Sequence, residues 1–294
     1  DGIEIDKNVL SLAHHFSKWN HNAQRKKNIH MHIQDGRTFT RWTQNKYDVI
    51  TLEPMSPIQA GTVNLYSREF YQLAAERLNK DGLMMQWLPL HLVGPDDAKS
   101  ILKTFQEVYP HTSIWNSFLT RIVLLVGSKE EIALDKIRFE ELMRIPEIQN
   151  SAQQIGINTF LDFTDFFLTD AAEVRSFVQS ADLITDDRPL LEFSPVTLLP
   201  PLKLEVDETF LNYLKYRIGN YPQVRGMMPS EKRRWEKDFR TRTAQRLSIF
   251  SQRYHGPGES AFKKKNYSEG LGEVVTYLNK KKGQPIRLKG IQWE

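Results

Sequence analysis

The chain has 294 residues, of which 40% are hydrophobic, so it can bury one substantial core and is long enough for a large domain plus a smaller one. It contains no cysteine, which excludes disulfides, thiolate metal sites and a cysteine nucleophile and fits a cytoplasmic protein. The formal net charge is +4, but residues 203–294 carry 20 Lys and Arg against 10 Asp and Glu, so a basic tail follows an acidic remainder.

The hydropathy pattern predicts no transmembrane segment, because no run of about 18 apolar residues occurs. The first residues lack the basic start and apolar stretch of a secretory signal. Since the chain does not open with Met, we expect it to be part of a longer protein. No aromatic-rich nucleic-acid motif is interleaved with the basic runs in the tail, so we interpret them as solvated helix faces and expect no nucleic-acid partner.

Short apolar runs alternate with amphipathic stretches in the first half, which is typical of βαβ units and a mostly parallel sheet. The strand Tyr47–Leu52 has the most apolar pattern and is predicted to be buried on both faces. Gly82, in Lys80-Asp81-Gly82, is expected to end the helix that begins at Ser67. The other predicted strands are residues 3–5, 30–34, 83–88, 113–115 and 122–126, and the other predicted helices are residues 9–19 and 96–109.

A short polar connection joins the last two of these strands, so they should pair antiparallel. A parallel sheet closed by such a hairpin is expected of class I S-adenosylmethionine-dependent methyltransferase-like folds, which are Rossmann-like. Residues 132–180 look helical, with a phenylalanine cluster interpreted as core, and residues 182–193 read as a polar loop leading into a short strand. We therefore divide the chain into an α/β domain (1–128), a helical insertion with its polar segment (129–194), a proline-marked linker (195–202) and a helical tail (203–294), which has one faintly tetratricopeptide-like hairpin.

Acidic residues end three successive predicted strands, namely Glu4, Asp35 and Glu53. In open α/β sheets ligands bind beyond the carboxyl ends of the strands, so these acids should converge on one crevice. An acid there can accept hydrogen bonds from ribose hydroxyls, and an acid before Gly36 can reach an adenine amine over a close backbone. Each acid taken singly is more often a helix cap or a turn.

Five segments, taken together in order and spacing, resemble the spermidine synthase family: 4–6, 35–37, 47–50, 65–71 and 82–87. The resemblance covers residues 3–127. The segment Ile184-Thr185-Asp186-Asp187-Arg188-Pro189-Leu190-Leu191-Glu192-Phe193 resembles a motif of the long, membrane-fused bacterial branch of that family.

The resemblance implies transfer of an aminopropyl group from decarboxylated S-adenosylmethionine to a polyamine such as putrescine. The co-substrate could also be S-adenosylmethionine itself, and no metal is expected. It places the ribose on Glu4 and the adenine on Asp35 with Gly36, and it puts Glu53 where the family has its catalytic aspartate. Glu69, Asp186 and Asp187 are further candidates for binding the amine. It also suggests a homodimer on the cytoplasmic side of a membrane-anchored parent.

Two departures from the family pattern affect this hypothesis. Ser56 stands where the family has a second aspartate, and a hydroxyl cannot neutralise an ammonium. The family's first strand and glycine-rich turn do not precede Glu4, so the fold is expected to be N-terminally truncated, with a gap between strands 3–5 and 47–52. Two alternatives therefore stay open: a methyltransferase using the same crevice, and a catalytically inactive scaffold. The pair His30 and His32 lacks a third zinc ligand at characteristic spacing and is interpreted as structural.

Overall fold

The computed structural model describes residues 1–54, 57, 59, 61–117, 121–195 and 201–280. The strands are β1 Gly2–Glu4, β2 Met31–Ile33, β3 Tyr47–Leu52, β4 Leu78–Pro89, β5 His111–Asn116, β6 Ile122–Ser128, β7 Leu134–Asp135, β8 Phe167–Thr169 and β9 Val224–Arg225. The helices are α1 Lys7–Leu12, α2 Ser17–Asn20, α3 Gly36–Trp42, α4 Arg68–Glu76, α5 Pro95–Val108, α6 Lys136–Leu142, α7 Pro146–Gln154, α8 Phe160–Thr164, α9 Ala171–Phe177, α10 Lys203–Leu214, α11 Pro229–Arg253, α12 Glu259–Lys263 and α13 Tyr267–Lys280.

Two sheets carry the α/β part of the chain. Strands β1 and β2 pair in parallel as a separate two-stranded sheet, and the larger sheet has the order β3-β4-β6-β5-β8. Strand β3 runs parallel to β4, whereas β6 is antiparallel to both β4 and β5. The predicted Rossmann-like α/β fold with a closing antiparallel hairpin is therefore confirmed.

The two sheets are not joined through β1 and β3, so the expected gap between these strands is confirmed for the described residues. The prediction that β3 is a buried strand is wrong. Its side chains alternate between half-buried and exposed, and Val49 is 50% exposed. The physical reason is that β3 is an edge strand here, with a hydrogen-bonded neighbour, β4, on one side.

The region before Gly82 also differs from expectation. Helix α4 is capped by Ser67, as its sequence suggests, but it ends at Glu76, and β4 already begins at Leu78. Gly82 therefore lies inside a strand, where the register with β3 shifts. A Cβ on Gly82 would stand 3.0 Å from the carbonyl oxygen of Tyr47, so the close strand approach accounts for the glycine better than a helix end does.

The two faces of the large sheet have separate cores. One face packs against α4 and α5 through Met84, Leu88 and Leu125, among other side chains. The other face presents Trp115 and Val126 to the helices that follow the hairpin, and α8 and α11 contribute Phe160 and Trp235 there. Side chains alternate between the faces of a strand, so β4 and β6 serve both cores.

The segment after β6 contains the predicted helices but also two strands that the sequence did not reveal, β7 and β8. Strand β8 pairs antiparallel with β5 and extends the sheet at its far edge. The expected short strand at the end of residues 182–193 is absent, since Leu190–Phe193 forms a 3-10 helix instead. The earlier part of that segment is held by one isolated bridge between Thr185 and Arg188.

The C-terminal helices pack onto the α/β part through a buried ion pair. The side chain of Arg217 is fully buried; it pairs with Asp165, donates to the carbonyl oxygen of Phe167 at 3.1 Å and lies 4.0 Å from the ring centre of Phe239. Arg246 adds a second partner to Asp165 at 2.8 Å. Among the helices in the described ranges, none combines the length and apolarity needed to cross a membrane.

Candidate active site at the carboxyl ends of the strands

The three acids singled out in the sequence each stand at the carboxyl end of a parallel strand. Glu4 is the last residue of β1, and its Oε1 accepts a hydrogen bond from the backbone N–H of Asp6 at 2.9 Å. Asp35 follows β2 and caps α3, accepting from the backbone N–H of Thr38 at 2.7 Å. Glu53 follows β3 and is exposed.

Contacts at both ends of the strands align the two sheets. At the amino ends, the Tyr47 hydroxyl donates to the carboxylate of Asp1 at 2.6 Å, which places the start of β3 beside the start of β1. Beyond the carboxyl ends, Arg37 donates to the carbonyl oxygen of Asn64 at 3.0 Å. Because Arg37 follows β2 and Asn64 follows β3, the loops after both strands meet at the same edge.

Gly36 leaves open space beside the backbone at this edge. A Cβ built there would have no heavy atom within 4 Å, so the packing of the protein does not itself require a glycine. Open space beside a glycine next to a strand end fits the close approach of a ligand to the backbone. The neighbouring residue, Asp35, is exposed, so its carboxylate is accessible to a ligand that binds there.

The Thr-Asp-Asp-Arg-Pro segment lies against this edge. Arg37 pairs with Asp186 through both guanidinium branches, Nη1 donating to Oδ1 at 2.8 Å and Nη2 to Oδ2. The backbone N–H of Asp186 donates to Glu69 at 3.0 Å. Further along, Glu192 accepts from the backbone N–H of Gly61 at 3.0 Å, so the segment also contacts the loop that follows Glu53.

These contacts distinguish the three acids that the sequence analysis assigned to amine binding. The hydrogen bond from Arg37 holds the pKa of Asp186 below its usual value, so that carboxylate is ionised and already neutralised. Glu69 is likewise engaged, by Asp186 and by Arg68 at 3.0 Å. Asp187 is exposed, and none of the described residues pairs with its carboxylate.

A buried polar cluster fixes α4, the helix that carries Glu69, to the sheet. The Tyr71 hydroxyl donates to Gln86 of β4 at 2.5 Å, and the Tyr109 hydroxyl donates to the Tyr71 carbonyl oxygen at 3.0 Å. Burial raises the pKa of both tyrosines well above the usual value, so they stay neutral donors. The cluster positions α4 rather than contacting the candidate site.

Of the histidine pair His30 and His32, the second lies on β2 and is engaged within the protein. His32 Nε2 lies 3.0 Å from the carboxylate of Asp1, and its ring contacts the ring of Phe39 in a tilted arrangement, with 4.8 Å between the ring centres. Within the described ranges, no group of three or more His, Cys, Asp or Glu residues has the arrangement of a metal site.

A cavity that the sequence analysis did not identify opens beside Glu53. Its volume is about 680 Å³, and its walls are mostly apolar. Phe163 and Phe166, interpreted from the sequence as core, line it. The signal that could have located its floor is the alternation of Leu83, Met85 and Trp87 along β4, because these side chains share one face.

The α/β part of the chain is similar to known proteins. Residues 1–127 match the spermine/spermidine synthase domain. The polyamine aminopropyltransferase of Saccharolobus solfataricus is 30% identical over 113 residues, which are 38% of each chain, and that of Clostridium perfringens is 31% identical over 121 residues, 40% of this chain and 42% of the other. This chain thus matches about two fifths of the length of these relatives.

A probable spermidine synthase from Corynebacterium glutamicum superposes with a TM-score of 0.43 at 18% identity, covering 63% of this chain and 62% of its own. A spermidine synthase in complex with the transition-state analogue AdoDATO superposes with a TM-score of 0.39 at 23% identity, over 44% of this chain and 46% of its own. Residues 1–127 are thus similar in sequence to the spermine/spermidine synthase domain and to these polyamine aminopropyltransferases.

Proposed function

We propose that the protein is an aminopropyltransferase of polyamine biosynthesis, which moves the aminopropyl group of decarboxylated S-adenosylmethionine to an amine. The observation that carries the proposal is the match of residues 1–127 to the spermine/spermidine synthase domain. The position of Glu4, Asp35 and Glu53 at the carboxyl ends of parallel strands supports it, since this is where open α/β sheets bind ligands.

Glu4 and Asp35 are proposed to hold the nucleoside. A carboxylate has room for several hydrogen bonds, so Glu4 can accept from two ribose hydroxyls while it keeps the bond to the Asp6 N–H. Asp35 accepts from Thr38 in the same way and retains capacity for the adenine amine. The open space beside Gly36 fits the approach of the base.

Glu53 is proposed to prepare the amine for attack. At neutral pH an aliphatic amine is an ammonium, and its lone pair becomes available when a proton leaves. Glu53 can hold the ammonium and accept that proton. The nitrogen then forms a bond to the carbon beside the sulfonium, the carbon–sulfur bond breaks, and its electron pair neutralises the sulfonium to a thioether. No metal takes part in this scheme.

The distal ammonium of a polyamine such as putrescine is proposed to bind Asp187. Support comes from its exposed carboxylate, which no described residue pairs with. Asp186 and Glu69 are then positioning residues, because they hold the segment that presents Asp187. Ser56, the residue that replaces a second acid, lies outside the described residues.

The gap between β1 and β3 is the proposed place of the family's first strand and glycine-rich turn. Support comes from the missing hydrogen bonds between β1 and β3 in the described part of the chain and from the exposure of Val49 beside the gap. Membership of the membrane-fused branch, a homodimer and a cytoplasmic location are proposed from the resemblance of residues 184–193 and the absence of cysteine.

A second candidate function is methyl transfer from S-adenosylmethionine, favoured by Ser56 at a position where aminopropyl transfer would use an acid. The third hypothesis is a catalytically inactive scaffold. The test is to incubate the full-length protein with decarboxylated S-adenosylmethionine and putrescine, and separately with S-adenosylmethionine and the same amine. Formation of spermidine supports the proposal, a methylated amine supports methyl transfer, and no product in either mixture supports the scaffold.

A matched pair of variants tests the role of Glu53 in that assay. Loss of a positioned general base lowers a rate about 10²- to 10⁴-fold, so Glu53→Gln should abolish most of the product. Glu107→Gln is the control. Glu107 is an exposed acid on α5, which packs on the face of the sheet opposite to the cavity that Glu53 lines. Equal rates for the two variants would remove Glu53 from the mechanism.

A further inference from the structure

Asp187 lies in a four-residue turn that two backbone hydrogen bonds close. The backbone N–H of Arg188 donates to the carbonyl oxygen of Thr185 at 3.1 Å, and the N–H of Thr185 donates to the carbonyl oxygen of Arg188 at 3.4 Å. Asp186 and Asp187 are the two central residues of this turn. The position of Asp187 is therefore tied to that of Asp186, because one peptide unit joins them inside a closed turn.

Hydrogen bonds attach the start of this turn to two helices. The backbone N–H of Ile184 donates to the hydroxyl of Thr104 on α5 at 2.9 Å, and its carbonyl oxygen accepts from the backbone N–H of Arg68 on α4 at 2.9 Å. The backbone N–H of Asp186 donates to Glu69, also on α4, at 3.0 Å. Since α4 and α5 pack on the larger sheet, these bonds hold the turn from the side of that sheet.

Arg37 holds the turn from the side of the smaller sheet. It follows β2, its side chain is 15% exposed, and its guanidinium pairs with the carboxylate of Asp186 through both branches. The same guanidinium donates to the carbonyl oxygen of Asn64 at 3.0 Å, in the 3-10 turn that precedes α4. A lysine at this position would keep the charge, but it lacks the planar fork that makes these contacts together.

We infer that Arg37 is a positioning residue that sets the length of the diamine that the site accepts. The inference rests on the proposed function, in which Glu53 and Asp187 hold the two ammonium groups. Glu53 directly follows β3, whereas Asp187 takes its place from the pair between Arg37 and Asp186. Two carboxylates at a fixed spacing bind both ends of a diamine when its carbon chain spans them, and a shorter or longer chain leaves one ammonium poorly paired.

Binding of plain diamines to the full-length protein tests the inference without any transfer reaction. Titration calorimetry compares 1,3-diaminopropane, putrescine and 1,5-diaminopentane, which differ by one methylene each. A partly exposed ion pair strengthens binding by up to about fivefold, so one of these diamines should bind about three- to fivefold more tightly than the others.

Two variants test whether the pair sets this preference. Arg37→Lys should reduce the preference to less than about twofold, because Asp187 is then held from one side only. A general loss of packing would weaken all three diamines by the same factor and leave their ratio unchanged. Asp186→Asn breaks the same pair from its other partner and decides the question if Arg37→Lys does not fold. The double variant should show the same ratio as either single variant, since both changes remove one interaction.

Arg138→Lys is the matched control. Arg138 is an exposed arginine on α6 that pairs with Glu141 at 3.1 Å, so the same substitution there should leave the preference among the diamines as in the wild type. A preference lost equally in Arg138→Lys and Arg37→Lys would overturn the role of Arg37.

The binding series and the transfer assay separate this inference from the proposed function. Spermidine formation together with the same length preference in the wild type and in Arg37→Lys would overturn the inference and keep the aminopropyltransferase. A length preference that Arg37→Lys abolishes, without transfer to any amine, would keep the inference and overturn the function. A wild-type protein that binds the three diamines equally, or binds none of them, would also overturn the inference.

Discussion

Arg37 and Asp186 form a two-branched ion pair between residues 149 positions apart in the chain. Arg37 belongs to the turn after β2, next to Asp35 and Gly36, and Asp186 belongs to the Thr-Asp-Asp-Arg-Pro segment. The pair therefore ties the proposed nucleoside-binding turn to the segment that presents Asp187. Planar guanidinium–carboxylate pairing of this kind fixes orientation as well as distance.

Breaking this pair should loosen the segment without unfolding the protein. Asp186→Asn removes the charge that Arg37 faces, at a site where the carboxylate is partly exposed, so the loss of stability should be about 1 kcal/mol or less. Hydrogen exchange of the amides in residues 184–192 should become faster. Asp187→Asn, the adjacent exposed residue, is the control and should leave those rates unchanged.

The same pair predicts a pH dependence. The hydrogen bond from Arg37 lowers the pKa of Asp186 in the folded protein below its usual value of 3.8. A lowered pKa contributes stability that is fully present above the unfolded value and is lost as pH falls through the folded value. The melting temperatures of the wild type and Asp186→Asn should therefore differ at pH 6, and the difference should begin to shrink as the pH falls below about 3.8. A constant difference across this range would contradict the assignment.

Asp165 should be among the most sensitive positions for stability. Burial acts to raise its pKa, but the charges and hydrogen bonds of Arg217 and Arg246 outweigh burial, so the pKa is lowered and the carboxylate is ionised. Asp165→Asn leaves the fully buried Arg217 without its counter-charge, which should cost about 3–5 kcal/mol in chemical denaturation. Asp96→Asn removes a carboxylate whose pair with Lys99 is exposed and should change stability by about 0.5 kcal/mol or less.

Two glycines should respond oppositely to the same substitution. A Cβ on Gly127 of β6 would lie 2.5 Å from a ring carbon of Phe105 and 2.7 Å from Cβ of Tyr109, so Gly127→Ala should destabilise the protein by about 1–3 kcal/mol. Gly272 in α13 has no atom within 4 Å of such a Cβ, and Gly272→Ala should stabilise it by about 0.5–1 kcal/mol. Thermal unfolding of both variants gives the comparison, and equal shifts would contradict the packing of β6 on α5.

Glu4 should contribute to nucleoside binding if the proposed site is right. Glu4→Gln retains an oxygen for the Asp6 N–H but removes the charge, so binding of decarboxylated S-adenosylmethionine to the full-length protein should weaken by about 1.5–3 kcal/mol. Titration calorimetry with Glu107→Gln as the control measures this. An unchanged dissociation constant would exclude Glu4 from the site.

Features that depend on residues close to each other in the sequence were predictable. The bounds of β3, the Ser67 cap of α4 and the antiparallel β5–β6 hairpin all follow from apolar periodicity, capping chemistry and a short connection. Helix 9–19 was predicted as continuous, whereas the structure divides it into α1, the 3-10 turn Ala13–Phe16 and α2. The apolar periodicity predicts which side of such a stretch is buried, but it does not indicate where the helical backbone hydrogen bonds are interrupted.

The candidate acids were also accessible from the sequence, because the carboxyl end of a strand can be read from where an apolar run stops. The sequence did not show which of these acids is paired with a cation and which is unpaired. Asp186 and Asp187 are adjacent and chemically identical in the sequence, yet the structure pairs Asp186 with Arg37, whereas none of the described residues pairs with Asp187. Which acid is neutralised depends on a residue 149 positions away.

The sequence by itself determined the order of strands β1 to β6, the acids at the strand ends and the resemblance of residues 3–127, because these depend on local patterns of residue type. The tertiary structure alone decided the exposure of β3, the pairing of β8 with β5 and the apolar cavity beside Glu53. Each of these depends on which distant segments come into contact, and burial, sheet edges and cavities are properties of that contact rather than of the residues that take part in it.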